Sequence, residues 1–262
     1  MSAKSADTPQ TSGSVEIRVI VAAYNEAHRI EATLAALAAA FPDASVWVAD
    51  DGSTDATAQL ARRAGARVVR SERMVGKGAA ATLAARDALQ EAQNNARACS
   101  HTHVHARVPN QKVNSIRAGE PIFILCDGDL AESASGLDAL AAAVRRGDAD
   151  MAVAAFATRV GGGIGLAVGF ARWAIHRRCG LQMRAPISGQ RALRARVLAD
   201  VLPFAAGFGM EIGMTIDAAR AGHSIAEVEL DLSHRATGRT LSGFAHRGRQ
   251  LVDFVRVYIA RR

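Results

Sequence analysis

Two acidic clusters and one lysine are the residues of this chain best suited to chemistry on a phosphorylated ligand. The clusters are Asp50-Asp51-Gly52 and Asp127-Gly128-Asp129, and each directly follows an apolar run typical of a buried strand. Two carboxylates one residue apart can bridge a divalent ion to two phosphates, so that the ion neutralises a leaving diphosphate. Lys77, between two glycines, can add a positive charge beside the same phosphates. A solvated turn is the alternative interpretation of each acidic cluster.

A third candidate is the stretch Ala23-Tyr24-Asn25-Glu26, which follows the first apolar run. It would lie near Asp51 and Gly52, because α/β sheets bind ligands at the carboxyl ends of their strands. Such strand ends can contact a base, a ribose hydroxyl and phosphates, although D-D-G-S-T-D alone also fits an Asx turn and a helix cap. The residues predicted to bind a nucleotide diphosphate are Ala23, Tyr24, Asn25, Glu26, Asp51, Gly52, Lys77, Asp127 and Gly128.

The hydrophobic pattern places these clusters on alternating strands and helices. Ser53 or Thr54 is the predicted cap of the second helix. Strand-helix alternation implies a parallel sheet with right-handed crossovers. Strands are predicted at 15–22, 46–49, 67–70, 122–126 and 151–156, and helices at 30–41, 55–64, 78–92 and 133–144.

We predict one α/β domain with two functional halves. Residues 1–14 lack an apolar core and are expected to be a disordered tail. Residues 15–156 are expected to form the nucleotide-binding half, interrupted by an irregular insertion at 94–120 where no periodic pattern survives. Residues 157–262 are expected to form a largely helical half that begins near three consecutive glycines; the resemblance described below implies that the first half binds a nucleotide sugar and the second half binds the acceptor.

Composition limits the classes of partner and compartment. The net charge of +7 suits an anionic partner, such as a nucleotide diphosphate, a phosphorylated acceptor, an anionic membrane surface or nucleic acid. Three isolated cysteines indicate neither a disulfide framework nor a cysteine metal site, and no apolar run is long enough to span a bilayer. We expect a cytoplasmic protein, with peripheral membrane contact through the basic C-terminal segment and homodimer formation left open, and no nucleic-acid partner.

Four motifs, taken in order, resemble the family-2 glycosyltransferases with the GT-A fold: A-Y-N-E, D-D-G-S-T-D, G-K-G-A-A and L-C-D-G-D-L. The resemblance covers residues 15–156 and implies a mostly parallel central sheet flanked by helices. It also implies a nucleotide-sugar donor and Mg²⁺ or Mn²⁺ as cofactor. In such enzymes Asn25 and Glu26 would lie near the nucleotide, Asp51 would contact the base or ribose, and Asp129 would ligate the metal.

The second half is similar to the glucosyl-3-phosphoglycerate synthase group, through P-I-S-G-Q-R-A, P-F-A-A-G-F-G-M-E-I-G and S-H-R-A-T-G-R. This resemblance implies that Glu211 faces the acceptor and that His234 completes the metal site. Gly163 to Leu166 departs from the group's Gly-Arg-x-Thr motif, which argues against phosphoglycerate as the acceptor. The predicted acceptor-binding residues are Gly163, Ser188, Gly189, Gln190, Arg191, Glu211 and Arg235.

These observations predict a metal-dependent hexosyltransferase that uses a UDP- or GDP-sugar, with Asp129 and Glu211 as its catalytic residues. The acceptor would be a hydroxyl or phosphate oxygen of a small molecule or a polyprenyl phosphate. Glu211 would be the general base if the reaction inverts the anomeric centre, and would only position the acceptor if the reaction retains it. A sugar-phosphate nucleotidyltransferase and a non-catalytic basic anion-binding module are the alternatives.

Overall fold

A seven-stranded sheet lies at the centre of the computed structural model, which describes residues 15–102, 119–156, 166–230 and 253–261. The strand order is β3-β2-β1-β4-β6-β5-β7. The strands are β1 (Ile17–Ala23), β2 (Ser45–Asp50), β3 (Arg67–Arg70), β4 (Ile122–Asp127), β5 (Met151–Phe156), β6 (Arg191–Arg194) and β7 (Ile225–Leu230). The helices are α1 (Ile30–Ala40), α2 (Thr57–Arg63), α3 (Lys77–Thr102), α4 (Asp138–Arg146), α5 (Leu166–Cys179), α6 (Ala195–Val201), α7 (Met210–Arg220) and α8 (residues 253–260).

The pairing of β1 brings the carboxyl ends of three strands together. β1 pairs in parallel with β2 on one side and with β4 on the other, so that Val21 lies opposite both Val48 and Cys126. β6 is antiparallel to both of its neighbours, β4 and β5. The predicted α/β fold with a mostly parallel sheet is therefore confirmed, and the second half of the chain adds β6 and β7 to that sheet.

Alternation along the strands divides the core between the two faces of the sheet. In β1, Ile20 packs on one face, while Val19 and Val21 pack on the other, and all three are buried. The first face is covered by α3, whose inward positions are alanines. Small side chains let this long helix lie close to the sheet, and its amino end therefore reaches the strand ends.

Three local predictions differ from the structure. α3 continues to Thr102, so residues 94–102 of the predicted irregular insertion are helical, and residues 103–118 lie outside the described part of the chain. α2 begins at Thr57, and neither Ser53 nor Thr54 caps it, because both bind the loop after β1. Asp55 Oδ1 accepts the N–H of Thr57 instead, at 2.9 Å. The helix predicted at 133–144 begins as a 3₁₀ segment, Ala131–Leu137, and becomes α4 at Asp138.

No described helix combines the length and the apolar character that a bilayer crossing requires.

The amino end of α3 packs directly on the backbone of the segment that precedes α7. A Cβ atom added at Gly78 would lie 1.9 Å from the carbonyl oxygen of Ala205 and 3.0 Å from its carbonyl carbon. Neither backbone atom can rotate away, as the end of a long side chain could. Glycine at this position therefore lets the first turn of α3, with Lys77, approach the second half of the chain.

We predict that Gly78→Ala lowers the free energy of unfolding by about 2 kcal/mol, since overpacking typically costs about 1–3 kcal/mol. Gly169→Ala is the matched control, because Gly169 also lies in a helix but a Cβ atom there would meet nothing within 4 Å. That control should gain about 0.5–1 kcal/mol through helix propensity. Urea denaturation of both variants measures the difference, and equal stability of the two would contradict the close approach.

Candidate functional site

The loops after β1 and β2 are joined by hydrogen bonds. Asn25, with φ of 55°, donates its backbone N–H to Ser53 Oγ at 3.0 Å, and its side-chain oxygen accepts from the N–H of Thr54 at 2.8 Å. The N–H of Glu26 donates to Thr57 Oγ1 at 2.8 Å. Asn25 therefore shapes the loop that carries Tyr24 and Glu26, and those two residues line the cleft described below.

Asp51 organises the loop that leads to Lys77. One carboxylate oxygen accepts the N–H of Val75 at 2.7 Å, and the N–H of Gly76 lies 3.0 and 2.9 Å from the two oxygens. The neighbouring Gly52 has φ of 74°, and a Cβ atom there would lie 2.6 Å from the carbonyl carbon of Arg73. Asp51 is buried at the cleft wall, so it fixes the Val75–Gly76 turn as well as facing the ligand space.

The Asp127-Gly128-Asp129 turn sends its two carboxylates to different surroundings. Gly128 is held by its N–H, which donates to the carbonyl oxygen of Ala22 at 2.8 Å, and by Thr33 Oγ1, which donates to its carbonyl oxygen at 2.9 Å. Asp127 is bound by Lys77 of the first half of the chain and by Gln190 of the second half. The side chain of Asp129 is 40% exposed, and Arg29 lies 3.9 Å from its carboxylate.

Lys77 joins the predicted donor and acceptor residues. Its Nζ lies 2.7 Å from Asp127 Oδ1 and 2.8 Å from Glu211 Oε1. Burial would lower the pKa of the ammonium group, but the two carboxylates outweigh burial and raise it well above its usual range. Lys77 therefore stays protonated, and it links the end of β4 to the first turn of α7.

Gln190, Ser188 and Arg191 lie behind this ion pair. Gln190 donates from Nε2 to Asp127 Oδ2 at 3.0 Å, and its own oxygen accepts from Ser188 Oγ at 3.2 Å. Arg191 donates to the carbonyl oxygen of Ser188 at 3.0 Å and to Thr215 Oγ1 at 2.9 Å. Burial lowers the pKa of Arg191 to about 10, although nearby carboxylates oppose that change, so the guanidinium remains charged at neutral pH.

Ser188, Gln190 and Arg191 were predicted to contact an acceptor, but they lie behind the cleft and not in its wall. All three are buried, and none lines the cleft, so they hold the site residues in place. Gly189, between them, does line the cleft. A Cβ atom at Gly189 would lie 2.8 Å from both Asp127 Oδ2 and Lys77 Nζ, so the missing side chain makes room for the ion pair.

One cleft of about 490 Å³ opens at the carboxyl ends of β1, β2 and β4. It contains most of the predicted donor residues together with Gly189 and Glu211. Its lining residues are Ala22, Ala23, Tyr24, Glu26, Ala49, Asp51, Lys77, Ala80, Asp127, Gly128, Asp129, Ile187, Gly189, Glu211 and Phe254. Asn25 and Gly52, which were predicted to contact the donor, support the lining from behind it.

The sequence interpretation missed five cleft residues, Ala22, Ala49, Ala80, Ile187 and Phe254, and Phe254 is the most distant of them along the chain. It comes from α8, in the basic C-terminal segment that was interpreted as a surface. Phe254 and Val257 are both buried and lie three residues apart, a spacing typical of the inward face of a helix. That spacing was the available sign that this segment packs on the core.

Three predicted site residues, Gly163, His234 and Arg235, lie outside the described residues. Within the described ranges, no group of three or more His, Cys, Asp and Glu side chains is arranged around a metal position. Asp129 is the carboxylate of the acidic turn that neither Lys77 nor Gln190 engages. It therefore supplies one oxygen ligand suited to Mg²⁺ or Mn²⁺.

The electrostatics around Glu26 fit a cation at this position. Burial raises the pKa of Glu26, and the negative charges of Asp129 and Asp127 raise it further, against the opposing effects of His28 and Arg29. Glu26, Asp127 and Asp129 thus place negative charges close to one another at the ligand end of the sheet. A divalent ion at Asp129 would relieve this repulsion, so the residues present fit the predicted metal.

Comparison with known proteins shows similarity to glycosyltransferases. Residues 18–92 match the glycosyl transferase family 2. Three solved structures of glucosyl-3-phosphoglycerate synthase from Mycobacterium tuberculosis are 26% identical to the chain with a TM-score of 0.63. One of them is a complex with Mn²⁺, UDP and glucosyl-3-phosphoglycerate. The alignments to this complex and to a second structure of the synthase each cover 94% of this chain and 80% of the synthase. A complex with Mn²⁺, UDP and phosphoglyceric acid covers 93% and 78%.

No curated protein sequence matches the chain. The predicted resemblance to the family-2 glycosyltransferases and to the synthase group is confirmed by the family match and the solved structures. These likenesses favour a glycosyltransferase over the nucleotidyltransferase and the non-catalytic module.

We predict that Glu26→Gln stabilises the metal-free protein at pH 7, by less than about 1 kcal/mol because Glu26 is partly solvated. The pKa of Glu26 is raised on folding, so its contribution to stability is fully present below the unfolded pKa and is lost as pH rises through the folded pKa. The advantage of the glutamine variant should therefore shrink as pH falls below about 5. Urea denaturation in EDTA at several pH values measures it, and a constant or reversed difference would contradict the repulsion.

Proposed function

Since this chain is a glycosyltransferase with the GT-A fold, we propose that it transfers a hexose from a UDP-sugar to a hydroxyl group of a small acceptor, with a divalent metal as cofactor. The observation that carries the proposal is the position of Lys77, which contacts Asp127 of the donor half and Glu211 of the acceptor half within one cleft. The choice of UDP is supported by the synthase complexes, which contain UDP and Mn²⁺. In this proposal, residues 15–156 bind the donor and residues 157–262 bind the acceptor.

The nucleoside of the donor binds where the loops after β1 and β2 meet. Tyr24 is 42% exposed at the edge of the cleft, and an exposed aromatic ring there offers a face for the base. Asp51 keeps the Val75–Gly76 turn beside the ribose and directs the chain toward Lys77. This assignment follows the rule that ligands of α/β sheets bind outside the carboxyl ends of the strands.

The metal would be held by Asp129, with His234 as the proposed second protein ligand. A bound Mg²⁺ or Mn²⁺ would neutralise charge that develops on the diphosphate as the bond to the sugar breaks. The neighbouring carboxylates of Glu26 and Asp129 support a cation here, because they would otherwise repel the donor's diphosphate. Lys77 supplies the positive charge on the other side of the acidic turn.

Lys77 has donor capacity left for the substrate. An ammonium group has three N–H donors, and the contacts with Asp127 and Glu211 use two of them. The third can donate to an oxygen of the departing diphosphate or of the sugar. Because the carboxylates raise its pKa, Lys77 remains a charged donor and does not act as a base at neutral pH.

Glu211 is better suited to positioning the acceptor than to deprotonating it. Its Oε1 accepts from Lys77 at 2.8 Å, so this carboxylate oxygen is already engaged by a cation of the site. Glu211 can still accept a hydrogen bond from an acceptor hydroxyl. We therefore propose that the reaction retains the configuration of the anomeric centre, the alternative in which Glu211 only positions the acceptor.

The acceptor is proposed to bind through its hydroxyl groups at the described part of the cleft. Lys77 is the one cation among the described lining residues, and it already contacts two carboxylates. Arg191, one of the predicted acceptor-binding residues, is buried behind the lining. Arg172 donates to the carbonyl oxygen of Arg184 at 2.5 Å and is absent from the lining.

We predict that Asp129→Asn removes the metal-dependent part of donor binding and lowers kcat/KM at least 100-fold, because it takes away a charged ligand of the proposed ion. With wild-type protein, a UDP-sugar at about 100 times its Kd plus Mn²⁺ should raise Tm by about 5 °C or more. Asp148→Asn is the matched control, since Asp148 is 49% exposed and lies at the end of α4, away from the cleft lining. Thermal shift and a transfer assay, with and without Mn²⁺, test both variants.

The same panel should include GDP-sugars. A wild-type shift with UDP-sugars that requires Mn²⁺, retained in the Asp148 variant and lost in the Asp129 variant, supports the proposal. A larger Tm shift with a GDP-sugar than with a UDP-sugar would mean that the nucleobase of the donor is guanine and not uracil. No metal-dependent shift with either donor would contradict the proposed function.

A further inference from the structure

The C-terminal helix α8 forms part of the floor of the cleft. Phe254, its second residue, lines the cleft with Lys77, Ala80 and Glu211. The residue is 1% exposed and belongs to the same core cluster as Ala80 and Met210. Phe254 is therefore a fixed part of the floor, and it comes from a segment far along the chain from the motifs that define the site.

Three glycines allow α8 to approach the start of α7 closely. A Cβ atom at Gly207 would lie 2.2 Å from Asp253 Oδ2, and one at Gly209 would lie 2.2 Å from Val257 Cγ2. At Gly213, a Cβ atom would lie 2.9 Å from Cζ of Arg261. A Cβ atom at Gly209 would also lie 3.3 Å from the backbone carbonyl oxygen of Asp253. Larger side chains at these positions would therefore press on the α8 side chains that face α7, so the sequence before and within α7 is fitted to this helix.

An ion pair holds the far end of α8. Arg261, which follows the last helical residue, donates from Nε to the two carboxylate oxygens of Asp217 at 2.7 and 2.9 Å and from its NH2 nitrogen at 2.5 Å. The Arg261 and Asp217 side chains are 16% and 25% exposed, so solvent screens this pair only partly. Arg178 of α5 adds a second attachment, because it stacks 3.8 Å from the ring centroid of Tyr258 and donates to the carbonyl oxygen of Tyr258 at 2.7 Å.

The contacts of α8 with α7 and with the segment before α7 connect it to Glu211 and Lys77. Asp217 and Glu211 lie on the same helix, α7, so the ion pair fixes α8 relative to the helix that carries Glu211. Gly207 also packs on the loop before Lys77, since a Cβ atom at Gly76 would lie 3.5 Å from its backbone nitrogen. Phe254 is thus held where the cleft is bounded by Lys77 and Glu211.

We propose that Phe254 is a specificity-determining residue that forms the apolar floor beneath the transferred sugar, and that Asp217 and Arg261 are positioning residues that keep it there. The inference rests on the proposed function, and it deepens it by assigning the sugar subsite. A hexose presents C–H groups on its faces and hydroxyl groups around its edge. Phe254 offers an apolar surface to the C–H groups, while Asp127, Lys77 and Glu211 offer hydrogen bonds to the hydroxyl groups.

The test compares affinity for UDP-glucose with affinity for UDP, both in the presence of Mn²⁺, by isothermal titration calorimetry. UDP lacks the sugar, so a change confined to the sugar subsite alters the ratio of the two affinities, whereas a general loss of structure lowers both together. Phe254→Ala should reduce the preference for UDP-glucose about tenfold, the size of effect expected from lost apolar contact. Phe254→Leu keeps most of the volume and should reduce it about threefold.

Arg261→Met tests the positioning pair, with Arg256→Met as its matched control. Arg256 lies on the same helix, but its side chain is 76% exposed, and among the described residues its ion-pair partner is Asp253 of the same helix, at 3.6 Å. We expect the Arg261 variant to lower the preference for UDP-glucose about threefold and the Arg256 variant to keep the wild-type ratio. Loss of stability in the Arg261 variant with an unchanged ratio would overturn the positioning role.

The outcomes also separate this inference from the function on which it rests. If wild-type protein binds neither UDP nor UDP-glucose with Mn²⁺, the proposed function fails. If wild-type protein binds both and Phe254→Ala keeps the wild-type ratio, only the assignment of Phe254 fails. Should the alanine variant not fold, an unchanged ratio in Phe254→Leu gives the same contradiction.

Discussion

The contact of Lys77 with both Asp127 and Glu211 is the interaction on which the site depends. Three charged groups that are each no more than about one-third exposed meet within 2.8 Å, and removing one charge from such a cluster leaves the others poorly solvated. The contact joins the end of β4 to the start of α7 through the first residue of α3. Elements from both halves of the chain must therefore pack closely around one ammonium group, and the glycines at 78 and 189 remove the side chains that would prevent it.

This constraint gives the two carboxylates of the acidic turn different roles. Asp127 is engaged by Lys77 and Gln190, so it belongs to the framework of the site. Asp129 faces solvent with one cation 3.9 Å away, and its charge contributes to the raised pKa of Glu26. A cofactor metal would satisfy Asp129 and reduce that repulsion. Electrostatic catalysis requires charged groups that are already held in place before the substrate binds. Asp127 meets this requirement through its contacts with Lys77 and Gln190, whereas Asp129 stays available for the metal.

Much of the donor side could be predicted from local sequence, because buried strands and the acidic residues that follow them are neighbours in the chain. Strand β5 was predicted with its observed bounds, Met151–Phe156, from its apolar run alone. β6 was not predicted, since Arg191–Arg194 reads as two arginines around a short apolar pair, and it becomes a strand only through its pairing with β4 and β5. The supporting roles of Ser188 and Gln190, and the place of Phe254 in the floor, depend on contacts between distant segments, which no local pattern reveals.

A double-mutant cycle between Lys77 and Glu211 tests the central interaction most directly. The free energies of unfolding of wild type, Lys77→Met, Glu211→Gln and the double variant would be measured by urea denaturation at pH 7 without ligand. The two substitutions should be coupled by about 1.5 kcal/mol or more, the range for hydrogen bonds between charged groups in contact. Additivity within about 0.5 kcal/mol would contradict the account, because it would mean that Lys77 does not hold the donor and acceptor halves of the site together.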